Sequence, residues 1–353
     1  RVFDEERHRF IAGIDSQSYA PYVKCPVLLL SAVNDTKHDY DRVYDTFQLL
    51  DPKLDKAFLY SAHGNGLIGT HSLADVDLFL DKYLKNRSVF ISAPVGISVG
   101  EDDQGNLVVR ATFDEDGEIA GCGIFYTEKV TGGRARDWTR VLGTPADLKD
   151  SVGTFPLSIY EGSRRALVYA FANYSNNFSV TSKIQEVVIE KPYKNACLKS
   201  RVLYESGRDG TNGMAGFRHR TRSMANCFAN SAGTDAKLLP GYGGIMGVTA
   251  EAGLVSYRVS EPRYAAPEGV ALRLDAYSRE DVLFKVTFYV DANEERGYSA
   301  EVPLEGGGKW KSLFFEPSDF KTETGQHLEN FKNVVSVVFV GSGEVLINNV
   351  LWI

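Results

Sequence analysis

The stretch Pro94 to Gly100 (PVGISVG) contains a G-x-S-x-G, with Ser98 between Gly96 and Gly100. A serine in that motif is a nucleophile when it sits on a sharp turn from a strand into a helix. Here Val95, Ile97 and Val99 alternate with Gly96, Ser98 and Gly100, and EDDQGNLVVRATF follows, a turn and a strand with no helix. Ser98 is therefore read as a strand residue. Asp35 has a more chemical setting. It follows Cys25 to Val33 (CPVLLLSAV), a continuous apolar run suited to a buried parallel strand. His63 and His71 lie in SAHGNGLIGTH, after a second short strand, Lys56 to Tyr60. An acid after one parallel strand and a histidine after the next meet beyond the carboxyl ends of the sheet. There the carboxylate fixes the imidazole tautomer and stabilises its cation during acyl transfer. The bland alternative for Asp35 is capping of the next helix.

The elements that would hold these groups alternate in type. Asp39 to Leu50 carries Tyr40, Val43, Tyr44, Phe47 and Leu50 at helical spacing. Ser72 to Leu84 predicts a second amphipathic helix, with Ser72 as N-cap and Asp75 completing a box-like start. After about residue 87 the pattern is β throughout. Leu107 to Phe113, Gly123 to Glu128, Leu167 to Asn173 and Ile184 to Ile189 read as short strands between turns such as DEDGE and TGGR. EKPYKNAC (Glu190 to Cys197) reads as a linker. Further strands are expected at Gly269 to Tyr277, Val282 to Asp291, Trp310 to Phe315 and Val334 to Val340, and in the closing EVLINNVLWI. The expected fold class is multidomain: a partial α/β segment over 1–87, then all-β sandwiches over 88–192 and 193–353.

KCPVLLLSAVNDTKHDYDRVYDTFQLL and KAFLYSAHGNGLIGTHSLADVDLFLDKYL together resemble the C-terminal end of an α/β-hydrolase. The resemblance is closest to acetyl-xylan-esterase-like and prolyl-oligopeptidase-like serine hydrolases of bacteria, and covers about the first 87 residues. It implies Asp35 as the triad acid. In the family the His loop reads N-x-H or N-H-H, whereas here Gly66 follows Asn65, leaving His63 or His71 for the base. In that family the nucleophile precedes acid and base, so Ser98, which follows both, has the wrong chain order. The resemblance thus places the nucleophile on an N-terminal hydrolase segment upstream of Arg1.

Residues 88–192 resemble an immunoglobulin- or fibronectin-III-like sandwich, on RRALVYAFANYSNNFSVTSKIQEVVI. Residues 193–353 resemble a galactose-binding-like jelly roll of carbohydrate-binding-module type, on GGKWKSLFFEPSDFKTETGQHLENFKNVVSVVFVGSGEVLINNVLWI. A sugar site needs an aromatic platform for the apolar sugar face and polar groups for the hydroxyls. Tyr242, Tyr264, Trp310 and Arg258 are the candidates, each as readily explained by core or loop packing. Trp310 and Trp352, both in strand patterns, read as core. Modules of this fold often bind a structural calcium, for which YESGRDGTNG offers Glu205, Asp209 and Asn212 against the alternative of a polar turn.

A net charge of -7 and an isoelectric point near 5.5 argue against nucleic-acid partners. The short basic run FRHRTR (Phe217 to Arg222) reads as a solvated face. No apolar run is long enough to span a bilayer. Cys25, Cys122, Cys197 and Cys227 form no C-x-x-C pair, and Cys25 and Cys122 fall in apolar strand patterns as small buried thiols. The leading reading is the end of a serine esterase acting on acylated polysaccharide, with accessory sandwich and carbohydrate-binding domains, periplasmic or secreted, and no cofactor for catalysis. The alternative is a catalytically inactive carbohydrate-binding or scaffold protein with a vestigial hydrolase segment.

Overall fold

In the computed structural model, residues 5–13, 15–33, 40–61, 70–130, 136–217, 236–291 and 296–353 are described. Helices α1 (Glu5–Gly13) and α2 (Ser16–Tyr19) lead into β1 (Val27–Ala32), α3 (Tyr40–Gln48), β2 (Lys56–Ser61) and α4 (Thr70–Tyr83). The order strand, helix, strand, helix follows the hydrophobic periods. β1 and β2 pair in parallel, Val27 opposite Lys56 and Ala32 opposite Ser61, so both carboxyl ends lie side by side. Two strands cannot bury themselves, and this pair uses the neighbouring sandwich as a wall. Ala57 joins the sandwich core, while Phe58 and Tyr60 pack with Phe47 and Tyr169.

That packing corrects the reading of α4. The helix begins at Thr70, so Ser72 lies inside it rather than at its cap, and Asp75 is buried. The Ser179 amide donates to the Asp75 carboxylate at 2.7 Å, which ties the helix to the sandwich. Cys25 is also corrected: it is exposed, whereas Cys122 is buried as expected.

The middle sandwich comprises β3 (Gly96–Glu101), β4 (Leu107–Thr112), β5 (Ile119–Thr127), β6 (Thr139–Gly143), β7 (Val152–Pro156), β8 (Arg165–Tyr174), β9 (Ser179–Thr181) and β10 (Gln185–Val188). One sheet runs β3-β4-β7 and the other β10-β8-β5-β6, with β9 also on β8. Alternating apolar residues of both sheets, among them Val109, Phe155, Ile124 and Val168, meet in one core. Ser98 lies on β3 opposite Arg110 with its side chain exposed, an ordinary strand position. The expected linker is strapped down. The Leu107 amide donates to Asn195 Oδ1 and Asn195 Nδ2 donates back to the Leu107 carbonyl, both at 2.9 Å.

The C-terminal sandwich comprises β11 (Val202–Glu205), the short α5 (Ser206–Asp209), β12 (Ala215–Gly216), β13 (Lys237–Pro240), β14 (Met246–Thr249), β15 (Leu254–Ser256), β16 (Leu272–Tyr277), β17 (Val282–Tyr289), β18 (Gly297–Leu304), β19 (Lys311–Phe315), β20 (Ser336–Gly341) and β21 (Leu346–Trp352). The first sheet runs β13-β14-β21-β16-β19, with β11 also on β21; the second runs β12-β15-β20-β17-β18. Trp352, Phe331, Phe320 and Phe288 interlock between the sheets with ring centroids 4.8–5.8 Å apart. The described residues are thus dominated by antiparallel sandwiches.

Candidate functional site

The side chains of a strand alternate between faces, and the first sheet of the C-terminal sandwich uses this to put chemistry on its outside. Leu272, Leu274, Ala276, Leu313 and Phe315 turn inward to the core. Arg273 and Asp275 of β16 therefore face outward, beside Phe314 and Ser312 of β19, and the Tyr277 ring is covered by Trp310, the residue before β19. Asn349 of β21 lies opposite Asp275 and extends the row.

The centre of this face is a hydrogen-bonded strip. Ser312 Oγ donates to Asp275 Oδ1 at 2.5 Å, Arg273 Nη2 donates to the same carboxylate at 3.2 Å, and Asn349 Nδ2 donates to Asp275 Oδ2 at 3.2 Å. Asn349 also reaches Asn348, which donates to Ser206 Oγ and the Met246 carbonyl. Asp275 is the hub of the strip, and its three donors fix their own side chains by serving it. Arg273 Nε is buried without a hydrogen-bond partner.

Aromatic rings flank the strip. Phe314 is 60 % exposed, with the Arg273 guanidinium 6.0 Å from its centroid. On the other side Trp310, half-buried, stands 5.4 Å from Tyr277 and donates its indole N–H to the Tyr242 carbonyl at 3.2 Å. Gly241 and Gly247 leave the space that the indole fills: a Cβ on either would come within 2.7 Å of it. The Tyr242 ring itself is 57 % exposed, and Ile245 and Met246 extend the apolar rim. Stacking surfaces beside oriented donors and acceptors can bind a flat, hydroxyl-rich ligand.

The residues picked out for sugar divide. Tyr242 and Trp310 come together on this face, which corrects the reading of Trp310 as core; Trp352 is core. Arg258 and Tyr264 lie elsewhere. Arg258 is 1 % exposed, bonded to Asp137 at 3.3 Å, Asp209 at 3.0 Å and the Leu203 carbonyl at 2.8 Å, and stands over the buried Tyr264 ring. Neither can contact a surface ligand. Phe314, Arg273 and Asp275 were not identified from sequence. The alternation of Trp310, Ser312 and Phe314 was the available signal.

The residues offered for calcium lie in the same place. Burial opposes ionisation of Asp209, yet a hydrogen bond from Arg208 and the charge of Arg258 outweigh it and hold the carboxyl below its ordinary value. Two guanidinium groups already neutralise the proposed ligand. Asn212 Oδ1 accepts the Arg140 amide at 3.4 Å, and the Glu205 side chain is exposed. Among the described residues no group of three or more His, Cys, Asp or Glu is placed to hold a metal.

Around Arg258 the two sandwiches share a buried polar junction. The Glu261 carboxylate accepts Thr127 Oγ1 at 2.8 Å and the amides of Glu128, Lys129 and Asp137 at 3.0–3.2 Å. Burial, reinforced by the Asp137 charge, pushes the Glu261 carboxyl up to about 8. Burial likewise brings the Lys129 ammonium down to about 8.

Of the acyl-transfer candidates, Asp35 and His63 lie outside the described residues, as do Arg218 to Arg222 of the basic run. His71 lies in the first turn of α4. No helix among the described residues is long and apolar enough to cross a membrane.

No family model matches the chain, and no curated protein matches it. Solved structures overlap it weakly. One, from a study of promiscuous specificity in carbohydrate-binding modules of the β-sandwich superfamily, is 10 % identical with a TM-score of 0.25, covering 75 % of this chain and 100 % of its own. The family 11 carbohydrate-binding module of the cellulosomal cellulase Lic26A-Cel5E of Clostridium thermocellum is 16 % identical with a TM-score of 0.25, covering 34 % and 81 %. SGBP-B of a xyloglucan utilisation locus of Bacteroides uniformis is 10 % identical with a TM-score of 0.19, covering 75 % and 99 %. Overlaps this weak assign neither family nor ligand. The sandwich architecture rests on the strand order of the chain itself.

Proposed function

We propose that the chain binds carbohydrate through the outward face of the first sheet of its C-terminal sandwich, residues 193–353. The observation that carries this is the pair of exposed aromatic surfaces, Phe314 and Trp310 with Tyr242, on either side of the strip centred on Asp275. Such a face exposes apolar area that folding would otherwise bury, and the polar strip between supplies hydroxyl partners. The glycan ligand also supports a periplasmic or secreted location. Affinity electrophoresis against a panel of polysaccharides tests the reading. Retardation by at least one glycan is expected, and it should be abolished by Trp310→Ala combined with Phe314→Ala in a protein that still unfolds cooperatively well above the assay temperature. Retardation that survives the double substitution refutes the assignment of the face.

A second reading concerns 1–87 as the end of a serine esterase acting on acylated polysaccharide, with 88–192 as a spacer. It is favoured by the parallel register that sets Ala32 beside Ser61, because Asp35 and His63 follow those two strand ends. Asp35 would orient the base, His63 or His71, for a serine on an upstream segment. Hydrolysis of p-nitrophenyl acetate by the natural full-length protein, lost in Asp35→Ala, is the expected result. Equal rates in the two proteins would exclude Asp35 from catalysis.

A further inference from the structure

Resting on the carbohydrate-binding reading, we infer that the ligand is an uncharged, extended glycan laid along β19, with Trp310 and Phe314 as its two stacking points and the Arg273 guanidinium as the donor between them. Trp310, against Tyr277, immediately precedes β19, and Phe314, opposite Arg273, lies four residues on within it. At a rise of about 3.3 Å per residue their Cα atoms stand roughly 13 Å apart. A single pyranose ring is shorter than half that span, so one sugar cannot stack on both. Ser312 lies midway, and Arg273 Nη2 reaches its Oγ at 3.3 Å, which places the guanidinium beside the path.

Charge then selects the class of glycan. The strip holds Asp275 at its centre, with Glu205 exposed opposite Asn349. The Arg273 charge is already compensated by Asp275 at 3.2 Å, and Lys311 of β19 pairs with Glu305 at 2.5 Å. At the centre of the strip, where Arg273 and Lys311 are both paired, a uronate or sulfate would meet two carboxylates, and like charges that close cost binding energy. A neutral sugar meets no such penalty. Its hydroxyls can accept from Arg273 and donate to Asp275 or Asn349 Oδ1.

The test uses the full chain in titration calorimetry against xyloglucan, xylan and galactomannan as neutral polymers, and polygalacturonate and heparin as acidic ones. A neutral polymer that binds is then cut to a ladder of oligosaccharides. The expected results are neutral binding only, affinity that climbs with length until both rings are spanned, and a loss of about tenfold on the long oligosaccharides in Phe314→Ala. The same variant should leave the shortest ligands unaffected, and Phe314→Tyr should restore the long ones. Acidic polymers binding as well as neutral ones, a monosaccharide binding as tightly as the longest oligosaccharide, or Phe314→Ala without effect would each overturn the inference while leaving carbohydrate binding standing. If none of the five polymers binds, the carbohydrate-binding reading falls and this inference with it.

Discussion

Replacing Arg258 by alanine separates a structural arginine from a sugar-binding one. The side chain is 1 % exposed and compensates two carboxylates, Asp137 at 3.3 Å and Asp209 at 3.0 Å, which belong to different sandwiches. Truncation would strand Asp137 as a buried charge, remove one of the two guanidinium partners of Asp209 and leave the Leu203 carbonyl without its donor. Breaking a buried pair from one side costs about 3–5 kcal/mol. For a unit of this size each kcal/mol lowers the melting temperature by about 2–4 °C, so Arg258→Ala should melt roughly 6–20 °C lower. Scanning calorimetry of the whole chain reads this, because the transition of the C-terminal sandwich should move most. Adding Asp137→Asn to the variant should recover part of the loss, since the stranded charge is then gone, while Asp209 keeps its pairing with Arg208. Glycan affinity, measured well below the lowered transition, should equal that of the parent because Arg258 does not reach the Trp310 face. A melting temperature within about 2 °C of the parent would refute the argument from burial. Lost glycan affinity in a folded Arg258→Ala protein would return Arg258 to the binding site.

Glu261→Gln puts an amide N–H₂ against two of the four donors that now converge on the carboxylate. It should cost about 1–3 kcal/mol in chemical denaturation and open the junction to proteolysis between the sandwiches. Asp75 is buried and pushed up to about 7 by desolvation, only partly offset by the Ser179 amide. Its folded form holds a proton that the unfolded chain releases above about 4, so stability should fall as pH rises from about 4 to 7, by at most about 4 kcal/mol. Asp75→Asn should flatten that slope in urea titrations at several pH values, and an unchanged slope would exclude Asp75 as its source. Gly247→Ala places a methyl 2.7 Å from the Trp310 ring and 2.8 Å from Leu346 Cβ, so it should displace the indole and weaken glycan binding several-fold in a protein that still folds.

The sequence carried the folding pattern further than it carried the site, for reasons that differ by residue. The apolar run at Val27–Ala32 and the helical spacing of Tyr44 and Phe47 announce themselves because each reports a local period. In KWKSLFF the period is visible but its phase is not. Trp310 and Phe314 alternate with Leu313 and Phe315, so both faces of the strand offer aromatic area, and only the pairing of Phe315 with Leu272 and of Leu272 with Trp352 settles which side is core. Arg258 fails for a different reason. Its partner Asp137 is 121 residues away, and nothing in RVSEPRY shows that a guanidinium there will be enclosed. Asp75 combines both difficulties. Its spacing from Ser72 fits a capping box, yet the helix starts two residues earlier and the donor to its carboxylate comes from β9, 104 residues on. A spacing rule assigns a polar residue its local use by default, and burial against a distant strand overrides that use. The same override separates the four sugar candidates by burial alone: the sheet face keeps Tyr242 and Trp310 at the surface, where stacking on a ligand is open to them, while Arg258 and Tyr264 are enclosed.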